Sequence, residues 1–244
     1  MSARITLAFA RRVLEQLLRD PRTIALILAV PCVLELLLQQ LFGKGSPVFQ
    51  KVGTPLLGMF PFITMFLVTS ITMLRERTSG TLERLMTMPL HKIDILAGYG
   101  IAFGLFAVVQ ATLVSTLAFG LLGLDVAGPK WLVVVLAVAN AVLGTTLGLF
   151  VSAFAETEFQ AVQFMPAIVF PQILLCGLFV ARDQMAGWLH AISYALPLTY
   201  AYDALARTAD NRIDAVFAVD VVVVLGCIAL ALALGAATLR RRTA

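Results

Sequence analysis

Arg75, Glu76, Arg77, Glu83 and Arg84 crowd into one short stretch, RERTSGTLERLMTMPL at residues 75–90, between two long apolar runs. Apolar runs of about 18 residues or more cross a bilayer, so charges at this density belong outside the hydrocarbon. Guanidinium and carboxylate groups so placed suit salt bridges and hydrogen bonds to a second protein. Gly80 permits a sharp change of direction, Ser79 or Thr81 can cap a helix, and Glu83 then complements the first turn of its dipole. Pro89 stops the pattern, which predicts one short helix with Leu82, Leu85 and Met86 on one side. An equally open reading makes the stretch an ordinary charged loop of a membrane protein.

The other chemically suggestive residue is Glu35, which lies inside an apolar run. A carboxyl group there costs about 2.5 to 3.5 kcal/mol on insertion scales, so it should face protein interior or water, or be protonated. Alternatively it reaches the headgroups, with Gln39 and Gln40 a turn beyond. Asn140 and Gln172 are further polar residues within spans and, with Glu35 and Gln39, are candidates for a substrate path. No phosphate-cradling, HExxH or nucleophile-elbow motif occurs in the 244 residues. His91 and His190 fall on opposite sides of the expected topology and share no site. Cys32, Cys176 and Cys227 lie within apolar runs without metal-ligand spacing. Neither catalytic nor metal-binding residues are expected.

The elements that position these residues follow from composition. The chain is 60% hydrophobic and 13% charged, a balance that a soluble domain of this size could not bury. Its formal charge of +4 resides at the ends of apolar runs rather than in an aromatic-interleaved patch, which argues for membrane lipid and against nucleic acid. Residues 1–22 form an amphipathic, interfacial helix with Arg4, Arg11, Arg12, Glu15 and Arg19 on one face, and no cleavable signal peptide is expected. Spans are expected at 24–41, 55–74, 95–122, 131–154, 164–180 and 216–239, with a polar loop at 43–54. Pro197 splits the apolar part of residues 182–214 into pieces no longer than roughly 14 Å, too short to cross, which predicts a re-entrant hairpin. Twelve basic residues then share the side of both termini and six the other, which makes the termini cytoplasmic. The fold class is an all-α integral membrane protein of six transmembrane helices with an interfacial helix, a short charged cytoplasmic helix, which the resemblance below makes a coupling helix, and an outer re-entrant hairpin.

The stretch Glu76-Arg77-Thr78-Ser79-Gly80-Thr81-Leu82-Glu83-Arg84-Leu85, followed by Pro89-Leu90, resembles the E-R-x-x-G-T-x-E-x-L pattern of type 2 ABC (ATP-binding-cassette) exporter permeases, near the daunorubicin-resistance branch. Gly177-Leu178-Phe179 through Trp188 to Pro197-Leu198-Thr199-Tyr200-Ala201 is similar to the family's re-entrant region, although Cys176 and Ala181 depart from the usual serine and proline. The resemblance covers nearly the whole chain. It implies that Glu76, Arg77, Gly80, Thr81, Glu83, Arg84 and Pro89 form the segment seated on an ATPase, and that Gly177, Trp188, Pro197 and Tyr200 belong to a re-entrant gate. It further implies two copies of a separate cytoplasmic ATPase, which carry the ATP and Mg, a second permease identical or paralogous to this one, and a bacterial plasma membrane. The substrate expected is hydrophobic or amphipathic: a drug, a lipid or a secondary metabolite. A secondary transporter or channel is the rival class, but it needs relay carboxylates in several spans, and an embedded enzyme needs clustered His, Asp or Glu.

Overall fold

Six helices long and apolar enough to cross a membrane dominate the computed structural model, which describes residues 3–81 and 92–238. The helices in chain order begin with α1 (Ala3–Leu18), α2 (Pro21–Phe42), α3 (Pro47–Thr78), α4 (Lys92–Leu117, prolonged by a π turn over Ala118–Leu122) and α5 (Lys130–Val151). The chain continues through α6 (Glu158–Leu175), α7 (Gly187–Ser193), α8 (Pro197–Ala209) and α9 (Ala215–Thr238). All but α1, α7 and α8 are of crossing length. No strand occurs among the described residues. The chain is an all-α, multi-pass membrane protein.

Local chemistry sets the boundaries, and four span ends differ from the hydropathy reading by four residues or more. The loop expected at 43–54 ends at Ser46, whose hydroxyl accepts from the Phe49 amide at 3.1 Å while Pro47 opens α3. At its other end α3 does not stop at Leu74. It continues through Arg75, Glu76, Arg77 and Thr78, because its backbone bonds are indifferent to side-chain charge and basic residues suit a helix C-terminus. Ser79 then caps it, and Gly80 turns at φ +70. The fifth crossing helix begins at Glu158 rather than Phe164, since the Thr157 hydroxyl accepts from the Gln160 amide at 3.2 Å and the Gln160 side chain accepts from the Glu156 amide at 2.8 Å. It ends at Leu175, short of the expected Val180, with Gly177 at φ +107. A π turn over Met165–Val169 accommodates Pro166, which has no N–H to give.

The core is built around α3 and α5. Gly144 and Gly148 form a Gly-x-x-x-Gly pair on α5, and a Cβ added to Gly148 would lie 2.5 Å from the Phe66 carbonyl oxygen of α3. Such contact of backbones is how small residues join membrane helices. On one side α1 packs on α4, with the rings of Phe9 and Tyr99 edge to face at 5.2 Å. Inside, the Gln110 amide of α4 donates to the Ile27 carbonyl of α2 at 2.5 Å and to the Thr64 hydroxyl of α3 at 2.6 Å, which ties three spans with one side chain. Outward, α2 and α9 present rows of exposed leucine and valine, as a surface facing lipid does.

Candidate functional site

At the end of the bundle that carries α1, charged residues form a clasp. Glu76 is buried against α1, with Arg12 Nη2 3.8 Å from its Oε2 and the Arg12 guanidinium 5.5 Å above the Phe9 ring. Nearly two turns earlier on α1, the Thr6 hydroxyl donates to Asp94 Oδ1 of α4 at 3.2 Å, and both groups are buried. Arg75 forks onto Glu158 at the start of α6, with Nε 2.8 Å from Oε1 and Nη2 3.0 Å from Oε2. Arg77 is half-buried, and the Ser79 and Thr81 hydroxyls are 2.9 Å apart beside the Gly80 turn. Glu76, which the resemblance places in the segment seated on an ATPase, is thus in contact with α1 of its own chain. Glu83, Arg84 and Pro89 lie outside the described residues.

The four path candidates are not gathered together. Glu35 is fully buried on α2, and neither carboxyl oxygen has a hydrogen-bond partner among the described residues. It packs toward Gly53 of α3, where an added Cβ would lie 3.2 Å from Oε1 and 3.0 Å from Leu124 Cδ1. It thus faces the protein interior. Gln39, a turn on, accepts from Gln40 Nε2 at 3.0 Å. Asn140 is buried on α5 beside Gly58 and borders a cavity of about 20 Å³ between α5, α8 and α9, room for about one water. Gln172 joins α6 to the start of α8, accepting from the Leu198 amide at 3.4 Å and donating to the Ile168 carbonyl at 3.1 Å.

At the opposite end, Gly177 lies against Tyr202, where an added Cβ would come within 3.2 Å of Cε1. Trp188 is 67% exposed, Pro197 opens α8, and the Tyr200 hydroxyl donates to the Tyr194 carbonyl at 2.8 Å. The helix α8 is further fixed by ion pairs, to the segment before α7 and to α9, that the sequence reading missed. Arg182 pairs with Asp203 and stacks 5.3 Å from the Tyr194 ring centroid. Arg207 reaches Asp214 at 3.2 Å and the buried Asp220 of α9 at 3.3 Å. The signal available was the run of alternating charge from Asp203 to Asp214, placed where a span could not form. A cleft of about 590 Å³ opens here, lined by Gln50, Lys51, Asp125, Arg182, Tyr202 and Asp203 among others. Gln50 braces its rim, donating to the Gly123 carbonyl at 3.0 Å and accepting from the Asp125 amide at 2.6 Å. The hydrogen bond from Lys130 holds the Asp125 carboxyl below its ordinary pKa.

A second open cleft, about 600 Å³, runs along the first part of α6 between Phe154, Glu156, Gln160, Gln163, Phe164 and Ala167. Its mixture of aromatic rings and glutamine amides suits an amphipathic molecule or a facing helix. Among the described residues no group of three His, Cys, Asp or Glu is placed to hold a metal ion.

Six crossing helices, a charged clasp at one end and two short helices bordered by ion pairs at the other define a membrane permease architecture. The chain belongs to the ABC-2 type transporter family, whose profile matches residues 5–208. It is 28% identical over 148 residues to the probable multidrug ABC transporter permease YbhR of Escherichia coli, a stretch covering 61% of this chain and 40% of that protein. It is 29% identical over 142 residues to the inner membrane transport permease YhhJ of E. coli, covering 57% of this chain and 38% of the relative. It is 26% identical over 138 residues to ABC transporter G family member 20 of Dictyostelium discoideum, covering 57% of this chain and 19% of that protein. The matched stretch thus spans well under half the length of these curated relatives.

Proposed function

We propose that this chain is the membrane subunit of an ABC exporter and moves a hydrophobic or amphipathic substrate, a drug, lipid or secondary metabolite, out of a bacterial cell. ATP and Mg are held by a separate cytoplasmic ATPase, present in two copies, and a second permease, identical or paralogous, faces this one. Both termini and residues 75–90 are cytoplasmic in this reading, and residues 182–214 face outward. The clasp is the observation that carries it. A push received beyond Gly80 meets Arg75 forked onto α6 and Glu76 held by α1, so it reaches three helices together rather than one loop. Such an arrangement converts movement of a docked partner into rearrangement of spans, without covalent chemistry in the permease. The mixed lining of the α6 cleft, at the same end, supports an amphipathic substrate.

Charge reversal at Glu83 tests the reading. Glu83→Lys should insert normally yet lower ATPase assembly or export in vesicles, measured with expression matched to the parent. Export and stimulated ATP hydrolysis equal to the parent would reject the role of this segment.

A further inference from the structure

The two faces of α1 do different things. At 100° per residue, Thr6, Phe9, Ala10, Val13 and Leu17 share the buried face, docked on α4 and the end of α3. Arg4, Leu7, Arg11, Glu15 and Leu18 share the opposite face, and all are exposed. Leu7 and Leu18, 61% and 63% exposed, line one flank of that face, with Arg4 and Arg11 beside them. Arg19 and Arg22, both exposed, extend the basic row across the connection into α2. Five arginines stand against two carboxylates between residues 4 and 22, and one of those, Asp20, is occupied in capping α2 through Thr23. Arg4, Arg19 and Arg22 have no ion-pair partner among the described residues.

Leucine and arginine on one exposed face fit the boundary between acyl chains and phosphate, with stems in the apolar layer and guanidinium groups in the polar one. Two residues after α1 ends, the chain enters α2, a crossing helix whose exposed Leu26, Val33 and Leu37 must meet hydrocarbon. That short connection keeps α1 at the bilayer boundary, where its exposed leucines and arginines meet lipid rather than a soluble partner.

We propose that the outward face of α1, with Arg19 and Arg22, is a binding surface for anionic phospholipid headgroups. The buried face makes the occupancy consequential, because Arg12 and Thr6 hold Glu76 and Asp94, the residues that bracket segment 79–91 from α3 and α4. Lipid seated on one face of α1 fixes the helix whose other face grips both ends of that segment. The lipid surface stands independently of the exporter assignment; its effect on ATP hydrolysis rests on that assignment.

The test uses the full chain in nanodiscs of phosphatidylethanolamine with and without phosphatidylglycerol, with retained lipids counted by native mass spectrometry. The parent should retain phosphatidylglycerol preferentially, and the combined R4Q, R19Q and R22Q variant should lose that preference by about fivefold per arginine removed at low salt. The matching R4K, R19K and R22K variant should keep it. A parent without the preference, or a glutamine variant that keeps it, overturns the proposal. If the glutamine variant is not recovered, the parent titrated with phosphatidylglycerol still decides, since retention in proportion to the bulk lipid fraction overturns the surface. Loss of ATPase assembly with lipid retention unchanged would assign the arginines to a protein partner and also overturn it. With the ATPase present, stimulated hydrolysis should rise with phosphatidylglycerol in the parent and not in the glutamine variant. A change in retention without a change in that dependence overturns the link to segment 79–91 alone.

Discussion

Replacing Gly144 or Gly148 by alanine adds one methyl group where α3 and α5 leave no room. At Gly148 the new Cβ would lie 2.5 Å from the Phe66 carbonyl oxygen, and at Gly144 it would come closer still to the Phe62 carbonyl oxygen. An ordinary carbon–oxygen approach is about 3.3 Å or more, so the helices must part locally by roughly 0.8 Å at Gly148 and by more at Gly144. Overpacking of this kind costs about 1 to 3 kcal/mol, against which alanine gains about 1 kcal/mol of helix propensity. At Gly148 the Thr69 hydroxyl, bonded to the Met65 carbonyl at 2.6 Å, can turn aside, whereas at Gly144 the closest obstruction is backbone, so Gly144→Ala should be the more damaging. Gly104 on α4 is the control, because nothing lies within 4 Å of its added Cβ, and Gly104→Ala should be neutral or stabilising by up to about 1 kcal/mol. Thermal unfolding of the three variants in one lipid composition, followed by intrinsic fluorescence, gives the order. If Gly144→Ala and Gly148→Ala unfold at or above the parent temperature while Gly104→Ala falls below it, the close α3–α5 contact is refuted.

At Glu35, whose buried oxygens have no hydrogen-bond partner among the described residues, Glu35→Gln and Glu35→Leu should raise stability, by about 1 to 3 kcal/mol for leucine if an unsatisfied polar group is removed; lower unfolding temperatures for both would show that the carboxyl makes a favourable contact. The Arg75–Glu158 fork is exposed on both sides, so a double-mutant cycle should return under about 1 kcal/mol of stability, while the export rate should fall with either single change; unchanged export would deny it a mechanical role. The Asp125 carboxyl is held below its ordinary pKa by Lys130, so its contribution is complete at neutral pH and is lost only as the pH falls through that lowered value. Lys130→Ala should move the onset of acid sensitivity up toward the ordinary carboxylate value, read as cysteine accessibility at Gly123 against pH, and an unmoved onset would contradict the pairing.

Hydropathy and length made the six crossing helices legible, since each run had to satisfy its own backbone inside the bilayer. The ends were harder. Arg75 reads as the end of a span by polarity, yet α3 continues to Thr78, and the bilayer boundary and the helix boundary are separate events. Ser46-Pro47 and Thr157 with Gln160 carried capping signals, but hydropathy alone passes over them. Glu35 was recognisable as an anomaly by type and depth, whereas its neighbours Gly53 and Leu124 come from other parts of the chain. The same holds for Arg182 with Asp203 and Gln172 with Leu198, pairs whose members are 21 and 26 residues apart and meet only through the folding of α6 to α8.

Pro55 and Pro61 interrupt the hydrogen bonding of α3 near one end only, and Gly144 and Gly148 fasten the other part of α3 to α5 at Phe62 and Phe66. The hydrogen bonds missing at Pro55 and Pro61 make this stretch the softest part of α3, so a hinge in this helix would fall there and the part from Phe62 to Thr78 would move as a lever. Sixteen steps of about 1.5 Å give that arm a length of roughly 24 Å. A tilt of about 5° at the hinge carries Thr78 through roughly 2 Å, a displacement delivered by one rigid body and requiring no relay of side chains along its length.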